Sequence, residues 1–178
     1  MIGKKIEGRY INLLPATVED AVFTRNIRMD SRFSKYFPKM ENTVEDQINW
    51  IKKQREKTGD YFFVVWDKKG NRIGTIGLYN YDGETCEAGR LAIDGNAFQS
   101  IEAQILSFEY AFDILHVKRT VSYIFEDNER ALRFSKSFGG TFEKDYAHSN
   151  LSRGMMKKTT TKEQFCDASK KLRRMIYR

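Results

Sequence analysis

The sequence predicts an α/β (α+β) fold: one domain over residues 1–178, in which about seven strands alternate with helices. Three patterns carry that expectation. Residues 61 to 93 hold three β-rich runs separated by short polar turns, which reads as a meander. Residues 86 to 115 pass from a strand straight into a stretch whose apolar residues, Ile101, Ile105, Phe108, Phe112 and Leu115, recur every three or four positions, the period of a helix. Strand and helix patterns keep alternating to the end, with no repeat, low-complexity segment or linker to mark a domain boundary.

In chain order, residues 6 to 14 (IEGRYINLL) form a first strand closed by Pro15, and Thr17 followed by Glu19 and Asp20 starts a helix before Ala21. Arg25, Arg28, Arg32 and Lys35 give the next stretch a basic side, interrupted by Phe33, Tyr36 and Phe37 and ended by Pro38. That side is either a solvated helix face or a surface for a planar anion. Thr43 to Asp46 has the form of a capping box opening a helix through Ile48, Trp50, Ile51 and Gln54, which Thr58-Gly59-Asp60 stops. Tyr61 to Trp66 (YFFVVW) has the composition of a strand buried on both faces. Arg72 to Tyr81 pairs with it as a hairpin, with Gly74 and Gly77 allowing close backbone approach, and the strand from Cys86 to Ile93 completes the meander. Further strands are expected at Thr120–Phe125, Thr141–His148 and Ser152–Lys158, with helices over Arg130–Phe138 and 161–175.

Composition sets the context. With 40% hydrophobic and 31% charged residues the chain is ordinary for a globular protein. Cys86 and Cys166 stand far apart without a CxxC or Cys/His cluster, so no disulfide framework and no metal site is expected, and a cytoplasmic setting fits. No segment approaches the ~20 apolar residues of a membrane span. A formal charge of +7, with Lys170, Lys171, Arg173, Arg174 and Arg178 at the end, favours anionic partners without naming one.

The strand-to-helix junction is the first candidate site. The opening turn of a helix leaves N–H groups unpaired beside the positive end of the dipole, so a phosphate can be held without a charged side chain. Here that turn carries Asn96, Ala97, Phe98, Gln99 and Ser100, with Ser100 as the expected N-cap. The alternative is an ordinary strand-to-helix connection.

Three stretches carry a family resemblance: GRYINLLPATVEDA at residues 8 to 21, GTIGLYNYDGETCEAGRLAI at 74 to 93, and FEDNERALRFSKSFGGTFEK at 125 to 144. Over residues 8 to about 160 the chain resembles the GCN5-related N-acetyltransferases (GNAT). It looks most like the branch of ribosomal-protein-alanine, spermidine and amino-sugar acetyltransferases. The resemblance implies a mixed central sheet with helices on both faces and direct transfer of acetyl from acetyl-CoA to a primary amine. It places the pantetheine arm and thioester oxygen on Leu91, Ala92 and Ile93, and the pyrophosphate on the N–H groups of Asn96, Ala97, Phe98, Gln99, Ser100 and Ile101. Asn128 opens the helix that flanks the cofactor. Glu87 matches the carboxylate that takes the amine proton, against the reading of a surface carboxylate paired with a basic neighbour.

The chain departs from the family in two places. The phosphate loop, usually Arg/Gln-x-x-Gly-x-Gly/Ala, reads Gly95-Asn96-Ala97-Phe98-Gln99-Ser100, with both motif glycines replaced. Ser135 stands where many relatives carry a tyrosine that protonates the departing thiolate; a serine is far less acidic, leaving water, Tyr123, Tyr146 or no protein acid for that step. Strict alternation puts Glu87 and Arg90 on opposite faces unless a bulge intervenes. His116 and His148 sit in no metal-ligand spacing, and Cys86 is expected to be a small buried residue.

The leading acceptor is a small amine, an amino sugar on a nucleotide carrier, with Arg28, Tyr36, Phe37, Tyr79 and Arg90 as substrate-binding candidates. Runners-up are a protein N-terminus, a polyamine, which the positive charge disfavours, and a weakly catalytic GNAT-like module that binds RNA or ribosomes through its basic end. Nucleic acid and membrane partners are not expected, and a homodimer is left open.

Overall fold

The computed structural model describes residues 3–37, 42–146 and 153–178. Strands β1 (Ile6–Glu7), β2 (Ile11–Pro15), β3 (Tyr61–Asp67), β4 (Arg72–Tyr79), β5 (Thr85–Ile93), β6 (Arg119–Phe125), β7 (Thr141–Asp145) and β8 (Met155–Thr161) form one sheet in the order β1-β2-β3-β4-β5-β6-β8-β7. Every neighbouring pair is antiparallel except β5 and β6. The sheet is therefore mixed, as expected, with eight strands among the described residues where about seven were expected. The extra one arises because residues 6 to 14 do not run through: Gly8, Arg9 and Tyr10 turn between β1 and β2.

Helices α1 (Ala21–Met29) and α3 (Val44–Glu56) lie on one face, over Phe62 and Val64 of β3. On the other face α4 (Ala97–Glu109), a π-helical turn (Tyr110–Ile114), α5 (Glu129–Lys136) and α6 (Lys162–Ile176) cover the larger core. Strand β3 serves both, since Tyr61, Phe63 and Val65 point into the larger cluster, as its unbroken aromatic and β-branched run predicts. Phe108 of α4 meets Phe112, Phe138 and Phe165 edge-on, which joins α4, the end of α5 and α6.

Local signals placed most boundaries. Thr43 and Asp46 cap each other to open α3, Thr17 and Asp20 do so for the 3-10 turn before α1, and Asn128 accepts from the Ala131 N–H at the start of α5. The basic stretch after Arg25 is not one helix: α1 stops at Met29, and Asp30 caps the short α2 (Ser31–Ser34). Strand β8 begins and ends three residues later than expected, and the strand expected to reach His148 ends at Asp145, beyond which residues 147–152 lie outside the described residues, as does Pro38. No helix among the described residues is long and apolar enough to cross a membrane.

A buried carboxylate locks α4 to the sheet. Glu102 is fully buried and accepts the N–H groups of Arg9, Tyr10 and Ile11 at 2.8, 2.6 and 2.9 Å. A Cβ on Gly8 would stand 2.6 Å from its Oε2, so the glycine leaves room for this contact.

Candidate active site

Strands β5 and β6 pair over only three positions, Thr85 with Arg119, Cys86 with Thr120 and Glu87 with Val121. The Ser122 hydroxyl donates to the Ala88 carbonyl at 2.8 Å, and no strand pair joins them further on. Leu91 to Ile93 therefore keep β4 on one side and have an open edge on the other. A wedge opens between two parallel strands, at the N-terminal end of α4.

A bulge in β5 sets what faces that wedge. Thr75 pairs with Ala92 and Gly77 with Gly89, so Arg90 and Leu91 together oppose Ile76, and Arg90 takes φ +53. This corrects the alternation: Arg90 turns onto the same face as Glu87. Both touch Tyr79, whose hydroxyl donates to Glu87 Oε1 at 2.5 Å and whose ring lies 4.1 Å from the Arg90 guanidinium. Asn80, at φ +52, donates to Glu87 Oε2 at 3.1 Å. Glu87 is thus a half-buried carboxylate with a phenol and an amide as partners rather than a basic residue. Burial first, and then the Glu87 carboxylate, push the Tyr79 phenol above its ordinary range, so it stays protonated and keeps donating.

Two residues that the sequence reading passed over complete this cluster. Asp60, read only as a helix stop, is 4% exposed and takes the Arg90 guanidinium on both oxygens at 2.5 and 2.9 Å, while Trp50 of α3 lies 5.2 Å from the same group. Gly89 is the second: a Cβ there would stand 2.5 Å from the Tyr79 hydroxyl. Gly77 similarly makes way for the Arg90 side chain, at 3.0 Å, whereas Gly74 allows the backbone approach expected of it, to the Ala92 carbonyl.

The N-terminus of α4 differs from expectation. Asn96, not Ser100, is the N-cap, and it exchanges hydrogen bonds with Gln99: Gln99 N–H to Asn96 Oδ1 at 3.0 Å, Asn96 N–H to Gln99 Oε1 at 2.9 Å. A reciprocal pair satisfies two donors and outcompetes a lone serine, whose hydroxyl and N–H both turn back to the Asn96 carbonyl. With Ile101 inside the helix, the N–H groups of Ala97 and Phe98 are the first-turn donors left unengaged among the described residues. Asp94, which would repel a phosphate here, is matched by both terminal nitrogens of Arg32 at 2.7 and 2.9 Å, which hold its carboxyl below the usual range.

The remaining candidates fall on two sides of the sheet. Arg28 of α1 lies over Phe37 at 5.1 Å, and Tyr36 points instead toward the loop before α5, its hydroxyl 3.4 Å from the Asp127 carbonyl. Arg153 joins that loop to the α2 side, through Asp127 at 2.6 Å and the Lys35 carbonyl at 2.6 Å. With Arg32 on Asp94, the α2 segment therefore straps across both lips of the wedge. Ser135 is on the opposite face from Glu87: its carbonyl accepts from Lys158, whose ammonium lies over Phe108 of α4. Asn128 spends its Oδ1 on capping α5, and Tyr123 stands on β6 beyond the last parallel pair, its phenol raised by burial and by the Glu87 charge. Cys86 is fully buried and its thiol is pushed up to about 12 by burial, in keeping with an inert residue. His116 follows the π turn, His148 is outside the described residues, and no cluster suited to a metal ion occurs among those described.

Comparison with known proteins agrees with this fold. The chain is 28% identical over 109 residues to acetyltransferase PseH of Campylobacter jejuni, covering 58% of this chain and 68% of that one. Among solved structures it resembles apo FdhC, described as a nucleotide-linked sugar GNAT, with a TM-score of 0.82 at 16% identity over 98% of this chain and 99% of that one. It also resembles spermidine N-acetyltransferase from Vibrio cholerae in complex with CoA and spermine, with a TM-score of 0.75 at 16% identity over 89% and 99% of the two chains. The family model described as the acetyltransferase (GNAT) domain matches residues 11–141, and on that footing the chain belongs to the GNAT family and is an N-acetyltransferase.

Proposed function

We propose that this chain transfers acetyl from acetyl-CoA directly to the primary amine of a small molecule, a nucleotide-linked amino sugar. The Tyr79–Glu87 pair beside the wedge is the observation that carries this reading. Acetyl-CoA supplies an activated acyl group and a thiolate leaving group; the chain supplies position and a proton acceptor. The N–H groups of Ala97 and Phe98, at the positive end of α4, suit a pyrophosphate, and the open edge at Leu91 to Ile93 suits the pantetheine arm and the thioester oxygen. Asn128 flanks that arm from the start of α5.

An ammonium reaching Glu87 would lose its proton to the carboxylate, directly or through water; the neutral amine would then form the C–N bond to the acyl carbon as the C–S bond breaks, and the second amine proton would pass to the departing thiolate, giving amide and free thiol. Tyr79 and Asn80 hold the carboxylate in place for that transfer. Ser135, on the far face, contributes at most a hydrogen bond to the departing sulfur. The likeness to the nucleotide-linked sugar GNAT and the unpaired Arg28 on the Glu87 face support an acceptor of that class over a polyamine. The test is thiol release from acetyl-CoA with UDP-linked amino sugars and with spermidine, the products weighed by mass spectrometry. N-acetylated nucleotide sugar is the expected product; acetylation of spermidine alone would contradict the acceptor class, and no transfer to any amine would contradict the reaction.

A further inference from the structure

Arg28 and Arg90 share a face with Glu87, yet only one of them is balanced. Arg90 is held by Asp60 on both terminal nitrogens. Arg28 has no ion pair or hydrogen bond among the described residues; its Nε is buried without a partner, and its guanidinium meets only the Phe37 ring, at 5.1 Å. Burial first, then the charge of Arg90, pull its pKa below the ordinary arginine range, against a smaller opposite effect of Tyr79. A guanidinium keeps its proton regardless, so the free protein holds an uncompensated cation beside a second one. Such a charge destabilises the fold unless an anion completes it. The fold itself does not require it, because α1 packs through Ala21, Thr24 and Ile27.

We infer that Arg28 is the anion-binding half of the acceptor site: the amine that reaches Glu87 belongs to a molecule that also carries an oxyanion, gripped by Arg28 above the Phe37 ring. This rests on the reading that the acceptor occupies the Glu87 face, and it adds a charge requirement near the reacting amine. The planar fork of a guanidinium takes phosphate or carboxylate oxygens two at a time. A phosphate of a nucleotide or sugar phosphate and a carboxylate of a sugar acid share that chemistry.

Four acceptors separate them: glucosamine, glucosamine 1-phosphate, UDP-glucosamine and muramic acid, assayed for thiol release with wild type, Arg28→Lys and Arg28→Met. The expected result is a kcat/KM at least about 100-fold higher for the anionic acceptors that bind than for glucosamine, expressed mainly in KM. That ratio falls to within about tenfold in Arg28→Met and to an intermediate value in Arg28→Lys. Preference for the phosphates or for muramic acid identifies the source of the oxyanion. Equal use of glucosamine, or a ratio untouched by Arg28→Met, overturns the inference.

A melting assay with saturating coenzyme A, and UDP, phosphate or acetate as probes, reads the site without turnover. Ligand-free Arg28→Met melts above wild type, since a half-buried unpaired charge is gone, and UDP or phosphate stabilises wild type but not the variant. If no amine is acetylated, the proposed reaction falls and this assay alone decides Arg28. Stabilisation that Arg28→Met lacks supports the anion site, and equal or absent stabilisation overturns it.

Discussion

At the scale of single residues, Gly89 decides whether the candidate base is held. Its missing Cβ leaves the space into which the Tyr79 hydroxyl reaches to meet Glu87. Gly89→Ala places a carbon 2.5 Å from that oxygen, so the phenol must withdraw and the carboxylate loses its shortest hydrogen bond. The expected outcome is a loss of kcat of about tenfold or more with acetyl-CoA affinity unchanged, and a stability cost of about 1–2 kcal/mol, read by steady-state kinetics, calorimetry and urea unfolding. Wild-type kcat in Gly89→Ala would show that the Tyr79 contact does not matter to turnover. Glu87 was nominated beforehand by the family resemblance, which matches its strand position to a carboxylate in relatives. Its partners were not: Asp60 and Gly89 act through contacts between separate segments, and a glycine whose role is to leave space gives no signal until its neighbour is placed.

At the scale of elements, the sequence disclosed what local chemistry decides. Thr43 with Asp46, the YFFVVW run and the Asn128 cap each name a boundary, and each boundary is found within a few residues. It misplaced the start of α4, because Ser100 and Asn96 are both good caps and only the reciprocal Gln99 contact selects the second. It left the bulge at Arg90 open, because the register between β4 and β5 decides it. Lys158 shows one element supporting another: its ammonium, 1% exposed, donates to the Ser135 carbonyl at the end of α5 at 2.6 Å, and burial lowers its pKa from 10.5 to about 8. The folded state therefore releases this proton before the unfolded chain does. Below about pH 8 both states hold it and the cost of the buried charge is fully present. Between about 8 and 10.5 the unfolded chain holds more protons and stability rises with pH. Urea unfolding of wild type and Lys158→Met across that window should show wild type gaining up to about 3 kcal/mol on the variant. A difference that stays constant with pH would mean the lysine is solvated in the native state.

At the scale of the whole molecule, the candidate site arises where one parallel pair in an otherwise antiparallel sheet comes apart. Strands β5 and β6 hold for three positions and then diverge. The bulge puts Glu87, Tyr79 and Arg90 on one side of the gap, and α4 presents its N-terminus at the other end. The α2 segment reaches both lips, through the exposed Arg32–Asp94 pair and through the Lys35 carbonyl, which accepts from Arg153, itself paired with Asp127; such surface contacts hold it only weakly. Most of this plan followed from the order of strand and helix patterns and from the family resemblance, while the divergence itself depends on how far two distant segments stay paired. The central claim, that Glu87 accepts the proton of the acceptor amine, is tested most directly by Glu87→Gln, which keeps the shape and can still take the Tyr79 hydrogen bond. The pH–rate profile of kcat for both enzymes, with acetyl-CoA affinity measured alongside, should show a loss of roughly 100-fold or more near pH 7 at unchanged affinity. An unaltered profile and rate in Glu87→Gln would contradict the account.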